Sequence, residues 1–341
     1  MYESFYGLRE NPFEVTPNPD YIYLGKNHRE ALANLLYGVR TKKGFIVITG
    51  EVGTGKTTLI HYLLDKFDGN NDTKTAFLFN PKLTANDFIS CILKDLGVRV
   101  QRQTKAEYLY NLHRYLLNAY RDEKRVLLIV DEAHGLNPEL LEEVRLLSNL
   151  ETSKSKLIQI VLVGQPELDK TLSLPAFRQL RQRINMRYHL PPLSRKETEE
   201  YIEKRLRVAG AQEPLFTKKA IQKIYRKSGG IPRSINILCD NALLNGFALY
   251  QKIVDVKSVR EVAKDLEFGK KSRRIWKEFL LGISIGVAIL LFMYLQKSGY
   301  LLPIYKEMLG GFQYIKEIFM KGMGYFPVLF KAGFLSSQSG S

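Results

Sequence analysis

Gly50-Glu51-Val52-Gly53-Thr54-Gly55-Lys56-Thr57, followed by Thr58, is the stretch whose reading decides the fold. It meets the pattern G-x-x-x-x-G-K-[ST] at every constrained position. Residues 45–49, Phe-Ile-Val-Ile-Thr, form a β-branched apolar run that predicts a strand just before it. Residues 57–67 carry a helical period just after it. Strand, glycine-rich loop and helix is the context this pattern requires. Glycines let the main chain close around phosphate oxygens, so several amide N–H groups and a helix N-terminus aim at one anion. Residues 50–58 are therefore expected to bind the phosphates of ATP, with Lys56 reaching the β- and γ-phosphates and the Thr57 hydroxyl on Mg²⁺.

Working outward, a hydrolytic site of this kind needs an acid at the end of a second buried strand. Residues 126–130, Val-Leu-Leu-Ile-Val, are followed by Asp131-Glu132. Asp131 is expected to share the Mg²⁺ with Thr57, and Glu132 to polarise the attacking water. Phosphoryl transfer mainly needs positioning and charge neutralisation, so this short set is nearly complete. Three further features concern transition-state charge. Gln165 follows the apolar run 158–163 and is read either as a hydrogen-bond partner of the water or γ-phosphate, or as a polar strand terminus. Arg178-Gln-Leu-Arg181-Gln-Arg183 offers guanidinium groups to a neighbouring subunit, which implies a homo-oligomer; exposed helix arginines are the plain alternative. Arg183 and then Arg181 are the first candidates, and spacing does not choose among the three. Arg233, in Gly229-Gly-Ile-Pro-Arg233, opens a helix from which it is expected to contact the phosphates.

The rest of the chain sets these motifs in order. Strand patterns at 45–49, 75–79, 126–130 and 158–163 alternate with helical ones at 29–40, 57–67, 85–96 and 105–120. Continuous apolar strands separated by helices indicate a parallel sheet buried on both faces. After residue 193 only helical patterns remain, at 197–209, 217–228, 232–250 and beyond 256, the first opened by the capping box Ser194-Arg-Lys-Glu197. The expected fold is an α/β P-loop domain over 1–193, its sheet sandwiched by helices, with an all-helical lid over 194–268. A basic linker over 269–278 leads to an apolar run, 279–295, of a length that suits a single transmembrane helix, read over 279–296. Arg273, Arg274 and Lys277 before it place the preceding domains in the cytoplasm. Residues 297–341 form a short tail with a partly amphipathic pattern.

Composition narrows the function classes. The formal net charge is +16, and residues 269–341 hold ten Lys/Arg against three Asp/Glu, so the tail is the more basic part per residue. A moderately basic body suits an anion-binding enzyme and is weak evidence for nucleic acid. Cys91 and Cys239 are the two cysteines and imply no disulfide framework. The N-terminus has no charged segment followed by an apolar run, so no signal peptide is read there.

The combination resembles a known family. Phe5-Tyr-Gly-Leu8, Asn11-Pro-Phe13, Pro17-Asn-Pro-Asp-Tyr21-Ile-Tyr23, His28-Arg-Glu-Ala-Leu32, Asp131-Glu-Ala-His134, Val163-Gly-Gln-Pro-Glu-Leu168 and Gly230-Ile-Pro-Arg233 are similar to motifs of the general secretion pathway protein A (ExeA-like) AAA+ ATPases. The resemblance covers about residues 1–268. It implies Walker A at 50–57, Walker B at 126–132, a sensor 1 role for Gln165, an arginine finger within 178–183 and a sensor 2 role for Arg233. It also implies that residues 21–24 pack near the adenine. It further implies a cytoplasmic ATPase on an inner membrane, serving secretion, pilus or exopolysaccharide export machinery through envelope assembly partners. Full-length members continue after the span into a large peptidoglycan-binding domain. The shorter relatives, found with pilus or exopolysaccharide loci, match this length more closely. Two other classes stay open: a DNA-acting AAA+ ATPase, although no nucleic acid is expected, and an ATP-state switch with little turnover.

Overall fold

The computed structural model describes residues 1–14, 19–68, 72–79, 83–101 and 104–266, together with Ser284 and Tyr314 as isolated positions. Five strands form one parallel sheet: β1 (Phe45–Thr49), β2 (Thr73–Leu78), β3 (Arg125–Val130), β4 (Gln159–Gly164) and β5 (Met186–His189). Their spatial order is β2-β3-β4-β1-β5. Side chains alternate across a strand, and here both faces are buried. Phe45, Val47, Leu128, Ile160 and Leu162 pack on one side with α4 (Ala85–Asp95), α5 (Lys105–Arg121) and α6 (Pro138–Leu147). Ile46, Ile48, Leu127, Ile129, Val161 and Val163 pack on the other with α2 (Lys26–Arg40) and α3 (Lys56–Asp68). Each such side chain contributes roughly 1.5–3 kcal/mol of transfer free energy on burial, so the two layers dominate the fold.

The parallel sheet between helices is as expected, and the predicted strands at 45–49, 75–79, 126–130 and 158–163 agree with β1–β4 to within about two residues. Strand β5 has no counterpart in the sequence reading. It is an edge strand beside β1, with only Met186 and Tyr188 half-buried and alternating with exposed Arg187 and His189. One covered face needs no continuous apolar run, so no such signal marked it.

The helical lid comprises α9 (Arg195–Val208), α10 (Lys218–Ser228), α11 (Pro232–Ala248) and α12 (Val256–Asp265). The capping box forms: the Glu197 amide donates to Ser194 Oγ at 3.3 Å, and the Ser194 amide donates to Glu197 Oε2 at 2.9 Å. Gly229 and Gly230 end α10 with φ of +63° and +77°. At Gly230 a Cβ would stand 2.0 Å from the Leu193 carbonyl oxygen. The Leu193 amide also donates to the Gly230 carbonyl at 2.9 Å. Only glycine fits there, and the contact joins the exit of the sheet domain to the lid.

The N-terminal segment corrects the domain division. By residue number it falls in the α/β domain, but Tyr2, Tyr6, Leu8, Phe13 and Tyr21 lie in the hydrophobic core of the lid. This includes the short helix α1 (Glu3–Tyr6). Asn11 Nδ2 donates to Asp240 Oδ1 at 3.0 Å, and Tyr6 Oη to the Leu243 carbonyl at 3.2 Å. An aperiodic segment of aromatics and turn residues carries no sign of which core it enters; that is decided by partners more than 200 positions away. The proposed linker, span and tail (269–278, 279–296 and 297–341) lie outside the described residues, apart from Ser284 and Tyr314. Among the described residues no helix is long and apolar enough to cross a membrane.

The buried tyrosines give the lid a pH dependence. Burial pushes the Tyr6 phenol up to about 12, and burial, aided by Asp240 and Glu10, raises Tyr2 and Tyr21 further. Near pH 10 the unfolded chain releases phenolic protons that the folded chain retains. The stability these groups contribute is fully present below pH 10 and declines as pH rises toward 12. Thermal unfolding between those pH values should show a falling Tm, and a flatter fall in Tyr6→Phe.

Candidate nucleotide site

The loop after β1 folds as its glycines dictate. Gly53 and Gly55 have φ of +80° and +92°, in the left-handed region that side chains avoid. At Gly53 a Cβ would also come within 2.7 Å of Arg233 Cβ, so this glycine lets the N-terminus of α11 sit against the loop. There the Arg233 amide donates to the Gly53 carbonyl at 3.3 Å. The loop and the lid are thus in direct backbone contact.

Lys56 is buried. Its Nζ donates to the carbonyls of Gly50 at 2.7 Å and Glu51 at 2.9 Å. Burial pulls its ammonium below the usual lysine range, and Glu132, Asp131 and Glu51 oppose that shift. Thr57 Oγ1 donates to Asp131 Oδ2 at 2.7 Å. The two expected Mg²⁺ ligands, from α3 and from the end of β3, are therefore already adjacent. A hydroxyl and one carboxylate are hard oxygen donors of the kind Mg²⁺ takes alongside phosphate oxygens and waters, so the residues present fit that ion. Asp131 is itself fixed, since its Oδ1 accepts from the Glu132 amide at 2.8 Å. Glu132 has φ 52°, ψ 31°, and its side chain is half exposed to the cleft. Gln165 occupies the N-cap position of α7 (Pro166–Ser173) at the tip of β4 without a side-chain capping bond, and its Nε2 stands 3.0 Å from His134 Nε2.

These residues face one cleft of about 300 Å³. Val52, Gly53, Gly55, Lys56, Thr57, Thr58, Glu132, Gln165 and Arg233 all line it. Gly50, Glu51, Thr54 and Asp131 support that wall from behind through the hydrogen bonds above and Thr54 Oγ1, which donates to the Glu51 carbonyl at 2.9 Å. Tyr21, Ile22, Tyr23 and Leu24 line the same cleft, beside which the family resemblance places the adenine.

The three arginines of α8 (Arg178–Arg183) are not brought to this cleft. Helix α8 precedes β5, whose first residue pairs with Ile46 near the start of β1, whereas Gly50 follows the end of β1. In a parallel sheet that places Arg183 at the opposite end from the loop. Arg178 and Arg181 are exposed, and the Arg181 guanidinium donates to the Ser173 carbonyl at 3.0 Å. Within one chain these groups and the cleft do not meet.

Several lining residues have no role in the motif reading. His28, buried on α2, lies 2.9 Å through Nε2 from the Thr54 carbonyl, which can only accept, so Nε2–H is the donor; burial lowers the pKa of the ring. Among the described residues, Arg205 is buried without a carboxylate partner. Its guanidinium donates to the Glu14 carbonyl at 3.1 Å and to Tyr201 Oη at 3.0 Å, and it stacks 4.8 Å from the Tyr21 ring. Tyr201 in turn donates to Asn236 Oδ1 at 2.7 Å. This network closes the Tyr21 end of the cleft with residues from α9, α11 and the N-terminal segment. Its only sequence sign was a charged residue on the apolar face of α9.

Comparisons with known proteins agree with the fold. A family model described as an AAA domain matches residues 39–172. The chain is 47% identical over 249 residues to general secretion pathway protein A of Aeromonas hydrophila, covering 73% of this chain and 45% of that protein. It is 26% identical over 278 residues to an uncharacterized HTH-type transcriptional regulator of Methanocaldococcus jannaschii, covering 77% of this chain and 62% of that one. The chain thus spans about half the length of the curated relatives it matches. Among solved structures it is similar to the Aeropyrum pernix ORC2 protein (TM-score 0.56, 19% identity, 75% of this chain and 71% of that one). It is also similar to CDC6P from Pyrobaculum aerophilum (0.58, 18%, 74% and 70%) and to Drosophila ORC bound to DNA (0.59, 19%, 77% and 66%). At that identity the structures speak for the fold alone, a P-loop AAA-type α/β domain with a parallel sheet and helices. The resemblance drawn from the motifs is therefore shown: this chain carries an AAA domain and, over most of its length, is similar to general secretion pathway protein A.

Proposed function

We propose that the chain is a Mg-ATP hydrolase that works as a membrane-tethered homo-oligomer in assembling a cell-envelope secretion, pilus or polysaccharide export machine. The observation that carries the hydrolytic reading is the convergence of Lys56, Glu132 and the Thr57–Asp131 pair on one cleft. The loop amides and Lys56 hold the phosphates, with Lys56 exchanging its carbonyl acceptors for phosphate oxygens. Mg²⁺, when bound, neutralises charge on the phosphate oxygens, and Thr57 and Asp131 hold it. Glu132 orients a water and takes its proton as the water oxygen bonds to the γ-phosphorus. The bond from that phosphorus to the bridging oxygen breaks, giving ADP and inorganic phosphate. Gln165 and Arg233 stabilise charge from the strand tip and from the lid. An arginine of α8, first Arg183, acts on the site of a neighbouring subunit, because its own cleft lies at the other end of the sheet.

The envelope role rests on the relative's printed name and on the apolar run 279–295 with its basic flank. The same sequence features support residence at the cytoplasmic membrane with the ATPase inside. A DNA-acting role is the runner-up, suggested by the name of the HTH-type relative. Sub-micromolar, salt-dependent DNA binding would favour it.

Glu132→Gln should lower kcat by about 100-fold or more while retaining ATP, which equilibrium binding and steady-state turnover will separate. Unchanged turnover would remove Glu132 from its role. Arg183→Ala subunits mixed with the unaltered chain should depress activity beyond their mole fraction, since each spoils a neighbour's site. A linear fall with dilution would show that Arg183 acts on no other subunit.

A further inference from the structure

Glu132 is followed by a short 3-10 turn, Ala133–Gly135, that has no place in the scheme above. His134 is its middle residue. The turn rests on the tip of β4, where Gly164 makes room for it: a Cβ there would stand 3.1 Å from the His134 amide nitrogen. From that seat the imidazole reaches two cleft residues at once. Its Nε2 lies 3.0 Å from the Gln165 amide nitrogen, and its Nδ1 lies 3.2 Å from Glu132 Oε2. Among the described residues, Nδ1 is shielded from solvent and has no partner in hydrogen-bond geometry, so the Glu132 carboxylate stands beside it without yet being aligned with it. The ring itself is not part of the cleft lining.

The tautomer follows from the contacts. An amide nitrogen is a donor only, so Nε2 accepts from Gln165 and carries no proton. In the neutral ring the proton then sits on Nδ1, pointing at the carboxylate. The chain reads Gln165 N–H to His134 Nε2, then His134 Nδ1–H to Glu132. The Gln165 amide has a second hydrogen free to meet a γ-phosphate or the attacking water. Polarity runs one way along the chain, from the strand tip that faces the phosphate to the acid that activates water.

We propose that His134 is a positioning residue that couples Gln165 to Glu132. This rests on reading the cleft as an ATP-hydrolysing site. When the Gln165 amide is fixed by a terminal phosphate, the imidazole it holds is fixed as well, and a small rotation brings Nδ1–H into line with Glu132 Oε2. The carboxylate is then held in one orientation for the water. Without that phosphate the link is slack, and Glu132 keeps its half-exposed freedom.

The test compares the full chain with His134→Ala, His134→Asn, Gln165→Ala and the His134→Ala/Gln165→Ala pair. Thermal unfolding checks that each is folded. His134→Ala should lower kcat about tenfold or more, while KM and the Kd for ADP stay within about twofold, because only orientation of the acid is lost. His134→Asn keeps a donor near Glu132 but is too short for Gln165, so it should fall between, and it carries the comparison if the alanine variant does not fold. The double variant should be no slower than the slower single one, since both changes cut the same chain. Losses that multiply, a kcat unchanged by either His134 substitution, or a KM that rises in proportion would overturn the coupling. If the unaltered chain binds ATP and turns it over while the His134 variants match it, this inference alone fails. If the unaltered chain binds no nucleotide, the reading of the cleft fails and takes the coupling with it.

Discussion

A parallel sheet covered on both faces constrains everything else in this chain. Its strands all run the same way, so every loop leaving a strand's end emerges on one edge. The loop after β1, Asp131-Glu132 after β3 and Gln165 after β4 are distant in sequence, yet the sheet order β2-β3-β4-β1-β5 puts them side by side. The Thr57–Asp131 hydrogen bond is the local product of that constraint. It spans from the first turn of α3 to the tip of β3, across the position of β4, and it holds two hard oxygen donors together. Without burial of Ile46, Leu128, Val161 and their neighbours, nothing would keep those termini within reach.

The lid depends on contacts that are small in area but strict in shape. Gly53 admits α11, and Gly230 admits the carbonyl of Leu193. Both contacts are backbone to backbone, so a change in loop conformation is felt directly by the helix that carries Arg233. The N-terminal segment strengthens the same link. Arg205 is a buried cation whose hydrogen-bond acceptors are carbonyls and a phenol, and it ties that segment to α9 beside the cleft. Removal of such a group leaves polar atoms unsatisfied, which costs about 1–3 kcal/mol for each. The far wall of the cleft is therefore built from the N-terminal segment with α9 and α11, whereas the loop wall is built on the strand ends of the sheet.

The loop wall and the far wall differ in how far a sequence reveals them. Gly50 to Thr57, Asp131, Glu132 and Arg233 were legible because each is bound to a local signal: glycines at fixed offsets, an acid closing an apolar run, an arginine after a helix-opening proline. Gln165 was legible only as one of two readings, since a polar residue ends many strands. His134 and His28 stood within family motifs but with no role assigned, and Arg205, Tyr201 and Asn236 had no such signal. Their contacts join positions as far apart as Glu14 and Asn236, and no period or spacing encodes that. Edge strand β5 was missed for a related reason: one exposed face needs only alternate apolar residues, and four residues are too few to establish alternation.

By itself, the sequence determined that this chain folds as a P-loop α/β domain followed by a helical one, and that the loop 50–57, Asp131, Glu132 and Arg233 belong to one candidate site. Those properties follow from short-range chemistry, in which a few neighbouring residues dictate a turn, a strand end or a cap. Only the tertiary structure decided three other matters. It packed the N-terminal aromatics into the lid, set the α8 arginines at the end of the sheet away from their own cleft, and placed His134 between Glu132 and Gln165. Each of these depends on strand order and on packing between distant segments, which arise when buried surfaces are matched in three dimensions.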